Sequence, residues 1–117
     1  MSVVHHVNLV VPPGQSEPVA AFYCDVLQLV RIARPDTGRS GAWLDADGVQ
    51  VHLSERDGAQ HPDSHVAFVV DDLPAEQARL TAAGAPYEPG DDVFGTGGRG
   101  FTRDPAGNRI ELINRGR

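Results

Sequence analysis

The chain has 117 residues, 40% of them hydrophobic, and sixteen acidic against ten basic residues give a formal charge of −6. That length suits one domain able to bury a sizeable core, and an acidic chain without a basic patch argues against nucleic acid or an anionic membrane as partner. All ten basic residues are Arg, which removes Schiff-base lysine chemistry and the phosphate-loop lysine from consideration.

The N-terminus carries neither a basic n-region nor a long apolar run, so neither a signal peptide nor a membrane span is expected. "VVHHVNLVV" over 3–11 reads as a strand rich in β-branched residues. "SEPVAAFYCDVLQL" over 16–29 reads as a helix starting at Ser16, with Pro18 in its first turn. The lone cysteine, Cys24, falls inside that helix without a flanking partner, which makes it a packing residue and is consistent with a reducing cytoplasm. Three short strands follow, the last two joined by Asp45–Gly48, with Asp first and Gly fourth in the turn.

The polar linker "RDGAQHPD" then leads to "HVAFVV" at 65–70, and the pattern begins again. The second helix has Asp72 as N-cap, Pro74 in its first turn and Gly84 as its stop. "GTGGRG" at 95–100 spells a dinucleotide fingerprint, but strand residues follow where that motif needs a helix, so the dinucleotide reading is rejected. The stretch "EPGDDVFGTGGRG" reads instead as a loop at the mouth of a cavity, with Phe94 as a lid contact. The last two strands are joined by Asp104–Gly107, with Pro105 second, where a type I turn accepts it.

The two halves match in one gap-free register, offset by 59 residues: "HVNLVV" at 6–11 returns at 65–70, and "DADG" at 45–48 as "DPAG" at 104–107. The reading is two copies of one βαβββ module, 1–57 and 62–114, within a single domain spanning 1–117. Strand alternation gives each module an apolar face and a polar one. Val7, Leu9 and Val11, with Val51 and Leu53, form the first apolar face, and Val66, Phe68 and Val70, with Ile110 and Leu112, the second. The opposite faces carry His6 and His52, then His65 and Glu111, each pair 46 residues apart.

These modules, with "HHVNLVV", "FYCDVL", "HVAFVVDDL" and "DPAGNRIEL", resemble the vicinal oxygen chelate superfamily. That group includes glyoxalase I, methylmalonyl-CoA epimerase, extradiol dioxygenases, fosfomycin-resistance transferases and bleomycin-resistance proteins. The resemblance covers essentially the whole chain and implies an α+β fold. Its paired βαβββ modules would form a curved, open mixed sheet around a central cavity, with the helices on the outer face. It also implies metal ligands from the first and fourth strands of each module, which are His6, His52, His65 and Glu111 here. His52 departs from the pattern, since glyoxalases and epimerases usually present Glu or Gln at that slot.

A lone strand histidine is more often structural than a ligand, but here four metal-capable residues occupy four symmetry-related slots. Three imidazoles and a carboxylate suit Zn, Ni, Co, Mn or Fe and do not suit Ca or Mg. Such an ion, left with two open positions, would chelate a small molecule bearing oxygens on neighbouring carbons. As a Lewis acid it would stabilise the enediolate formed by proton removal. Glu111 is the first candidate for the base, because the resembling isomerases use a ligand carboxylate this way, and His52 is the second. The expected function is a glyoxalase- or epimerase-like lyase or isomerase.

Two alternatives stand beside it. With His52 off the metal, His6, His65 and Glu111 make the two-His-one-carboxylate triad of an Fe(II) extradiol-type dioxygenase. A metal-free small-molecule (antibiotic) binding or resistance protein is the other. Trp43, Arg99, Phe101 and Arg103 are candidate substrate contacts beside Phe94, and Arg109 alternates onto the Glu111 face, where it can meet an anionic substrate. The open sheet edges of paired modules predict a homodimer.

Overall fold

A computed structural model describes residues 1–116, which divide between Gln60 and His61 into two units. The first contains β1 (His6–Val11), α1 (Ser16–Asp25), β2 (Val30–Ile32), β3 (Gly41–Ala46) and β4 (Val49–Glu55). The second contains β5 (His65–Val70), α2 (Leu73–Ala82), β6 (Glu88–Pro89), β7 (Arg99–Arg103) and β8 (Arg109–Asn114). Each unit is therefore βαβββ, as the repeat predicts. Each folds as a four-stranded mixed sheet, in the order β1-β4-β3-β2 or β5-β8-β7-β6. The fold class is α+β.

The two sheets share their pairing. β1 runs parallel to β4 with His6 opposite Gln50, and β5 runs parallel to β8 with His65 opposite Arg109. In both sheets the last three strands are antiparallel. Because side chains alternate along a strand, this register commits whole faces. Val11, Leu44, Val51 and Leu53 are buried with Val19, Ala20, Phe22 and Tyr23 of α1, and β8 contributes Ile110 and Leu112 beside Leu73 and Leu80 of α2. Full burial of each large aliphatic residue contributes about 1.5–3 kcal/mol.

Both helices start on acidic acceptors, but in different ways. The Asp72 carboxylate accepts the Ala75 N–H at 3.1 Å, as the sequence predicts for an N-cap. At α1 the acceptor comes from β4: Glu55 takes the Gly14 N–H at 2.8 Å and the Ser16 hydroxyl at 2.6 Å. These two bonds hold the Glu55 carboxyl below the ordinary carboxylate range. The first helix ends at Asp25 rather than continuing to Leu29, because Gln28 adopts a φ of 63° that a right-handed helix cannot contain.

The matched hairpins also differ. Asp47 and Gly48 both have positive φ, and Ala46 pairs with Val49, so the first is a two-residue turn of the primed type rather than a type I turn from Asp45. In the second, Pro105 occupies the slot of Ala46 and has no N–H to extend the ladder. The strands part earlier, and Asp104 organises the loop by accepting from the backbone N–H groups of Ala106 and Asn108 at 2.9 Å.

Gly41 and Gly100 are an offset-matched pair whose missing side chains matter. A Cβ on Gly41 would meet the Leu53 carbonyl oxygen, and one on Gly100 would meet the Tyr87 hydroxyl and ring.

Candidate functional site

In the first unit, β1, β3 and β4 bring three rings into one stack. Trp43 lies directly opposite His52 in the β3–β4 register, with ring centroids 4.1 Å apart and planes within 4°. His6 covers the other face of His52 at 4.0 Å and 16°. This stacking buries His52 to 7% exposure although it belongs to the polar face. Burial, then the neighbouring charges of His6, His5 and Arg34, lowers the His52 pKa, so the ring is neutral at pH 7. Its Nε2–H donates to the Gln50 side-chain oxygen at 2.8 Å, which leaves the Nδ1 lone pair as the atom able to take a cation. The partnership with Gln50 was not foreseen, although both residues share the polar face at a spacing of two. His5 sits beside this group, its Nδ1 2.9 Å from that of His6.

In the second unit, His65 Nε2 lies 2.9 Å from Glu111 Oε1. The other ring nitrogen, Nδ1, donates to the Asp63 carbonyl at 2.8 Å. A backbone carbonyl on the far nitrogen is how a protein fixes the tautomer and direction of a metal-binding imidazole. Glu111 Oε2 accepts from Arg99 Nε at 2.6 Å. Burial pushes the Glu111 carboxyl up, but the Arg99 guanidinium and then His65 together hold it below the ordinary carboxylate value. An ionised carboxylate and an aimed imidazole share one face of β5 and β8.

The predicted substrate contacts in this unit form one cluster. Phe101 stands edge-on to His65, with centroids 6.1 Å apart. The Arg99 guanidinium carbon lies 4.7 Å from the Phe101 centroid and that of Arg109 lies 3.9 Å from it. Arg103 donates to the carbonyls of Gly107 and Pro62. Phe94 is 57% exposed and touches the group only through Arg99, at 5.9 Å. Its loop is tied by Asp92, which accepts the N–H groups of Thr96 and Gly97, and β7, not a helix, follows it.

Each unit thus carries two of the four predicted ligands in contact or near-contact. Among the described residues, no three His, Cys, Asp or Glu side chains form a ready metal cluster. Both pairs fit a borderline divalent ion by the chemistry of their donor atoms, imidazole nitrogens and one ionised carboxylate.

The sequence profile of the Glyoxalase/Bleomycin resistance protein/Dioxygenase superfamily matches residues 3–112. The chain belongs to that superfamily. No curated protein matches it significantly. Solved structures match over almost the whole chain, at identities that show the fold alone. One is a protein assigned to the glyoxalase family from Bacillus anthracis, with 24% identity, coverage of 98% of this chain and 96% of that one, and a TM-score of 0.87. A second is the fosfomycin resistance protein FosX from Listeria monocytogenes, a mutant complexed with Mn(II) and 1S,2S-dihydroxypropylphosphonic acid. It is 19% identical, with coverage of 98% and 93% and a TM-score of 0.84. A third is TnmS3, an antibiotic binding protein from Streptomyces sp. CB03234, 20% identical, with coverage of 98% and 97% and a TM-score of 0.74. The structural neighbours thus include a fosfomycin resistance protein complexed with Mn(II) and an antibiotic binding protein. Among the described residues no helix is long and apolar enough to cross a membrane.

Proposed function

We propose that this superfamily member is a metal-dependent enzyme acting on a small molecule with vicinal oxygens, as a glyoxalase- or epimerase-like lyase or isomerase. His6, His52, His65 and Glu111 would be the ligands for a divalent transition metal. The observation that carries this reading is the His65–Glu111 pair. With Nδ1 bound to a carbonyl, Nε2 and Oε1 face each other at 2.9 Å, a separation suited to two adjacent ligands of one cation. A bound ion would supply Lewis acidity to two neighbouring substrate oxygens. Glu111 is the first candidate to accept the substrate proton, being already ionised at neutral pH, and Arg99 holds its second oxygen in place. His52, neutral and stacked between Trp43 and His6, is the second candidate.

Two edge strands per sheet, and exposed apolar residues such as Val30 and Val69, support a homodimer.

One observation favours a metal-free binding protein instead. The Trp43–His52–His6 stack, with Gln50 holding His52 Nε2, is an aromatic platform of the kind on which a planar ligand can pack. Anaerobic solvent-deuterium exchange into α-hydroxycarbonyl compounds tests the enzymatic reading. Exchange by metal-loaded protein that is lost in Glu111→Gln supports it. Oxygen uptake on a catechol without exchange would favour the dioxygenase, and tight ligand binding unaffected by chelator the binding protein.

A further inference from the structure

A cavity of about 300 Å³ opens in the second unit beside the β6–β7 edge, lined in part by Tyr87, Glu88, Phe101, Arg103 and Arg109. That volume is at the lower end for small-molecule pockets. Its chemistry is cationic in an acidic chain. Sixteen carboxylates are available to ten arginines, yet among the described residues neither Arg103 nor Arg109 takes part in an ion pair. Arg99, on the same face, is neutralised by Glu111. Glu88 lines the cavity too, but it is exposed and stays outside ion-pair distance of both guanidiniums.

Arg109 is held without being consumed. Its guanidinium carbon lies 3.9 Å from the Phe101 centroid. An aromatic face holds a guanidinium by its flat side and leaves the edge N–H groups directed outward, the geometry suited to two parallel bonds to an oxyanion. Arg103 is fixed by the carbonyls of Gly107 and Pro62, which use two of its five N–H groups.

We propose that Arg109, backed by Phe101 and flanked by Arg103, recognises the oxyanion group of a small molecule, a carboxylate or a phosphonate. The proposal deepens the functional reading and rests on it only in taking that molecule as the substrate. The substrate would then be an acid, anchored at the β7–β8 turn end while its vicinal oxygens face His65 and Glu111.

Calorimetric titration of benzoate, phenylphosphonate and the uncharged benzamide tests this, in chelator-treated and in metal-loaded protein. Both preparations should bind one or both anions saturably and ignore benzamide. Arg109→Gln should weaken anion binding about 10- to 100-fold, as expected for lost charge-assisted bonds, and Arg109→Lys should restore only part of it. Arg103→Gln should weaken it less, which keeps the test available if an Arg109 variant fails to fold. Equal binding of benzamide and benzoate, no saturable binding of either anion, or anion binding unchanged in both glutamine variants would overturn the proposal. Metal uptake, followed in the same samples, should not change in Arg109→Gln. Anion binding in a protein that takes up no metal would defeat the metal reading and leave this one standing.

Discussion

His65 and Glu111 are joined at 2.9 Å across the parallel β5–β8 pairing, although they are not register partners; His65 is opposite Arg109, and Glu111 lies two residues further on. The same diagonal in the first unit joins His6 to His52, whose rings stack at 4.0 Å. One register, used twice, thus sets two ligand-capable pairs.

His65→Ala should abolish most metal binding, and Glu111→Gln should weaken it, since a neutral amide replaces the ionised oxygen. Glu111→Gln also leaves Arg99 Nε without its carboxylate, so a loss of about 1–3 kcal/mol of stability is expected. Metal titration beside thermal unfolding separates the two effects.

His52→Ala should lower metal affinity if His52 is a ligand, and His52→Gln or His52→Glu should recover much of it. If His52 serves only as a base, metal content should hold and turnover should fall by roughly 100- to 10,000-fold.

Glu55→Gln should destabilise the first unit at neutral pH, because the Gly14 and Ser16 donors lose a charged acceptor. The Glu55 carboxyl is depressed in the folded state, so its stabilisation is present above the ordinary carboxylate value and is lost as pH falls through the depressed one. Thermal melts should therefore show the gap between wild type and variant closing as pH is lowered. A constant gap would contradict the assignment.

Gly100→Ala should cost about 1–3 kcal/mol, because the new methyl meets the Tyr87 ring and must displace it. An unchanged denaturant midpoint would show that Tyr87 moves freely.

The repeat and the strand faces were legible, because each follows from alternation and a constant offset, and so was the pairing of His6 with His52 and of His65 with Glu111 on the polar faces. The environments of those residues were not. His52 alternates onto a polar face yet is buried, because Trp43 and His6 close over it, and no period-two pattern reports what stacks on what. The Asp63 carbonyl that directs His65 is a backbone group and has no signature in residue type. The hairpin turns were misread as alike because Asp and Gly recur; whether the ladder runs on to Ala46 or stops before Pro105 decides the turn, and only pairing shows that. Glu76, acidic in the first turn of α2, is 1% exposed and paired with Arg79, where helix patterning alone would leave it in solvent.

The central claim is that this chain holds a divalent transition ion through His6, His52, His65 and Glu111. Elemental analysis of protein purified without a chelating column, followed by unfolding with and without chelator, tests it most directly. The account predicts close to one ion per chain, and a lower melting temperature once the ion is stripped, by mass action. Metal-free protein whose stability does not change on adding Zn, Ni, Co, Mn or Fe would contradict it.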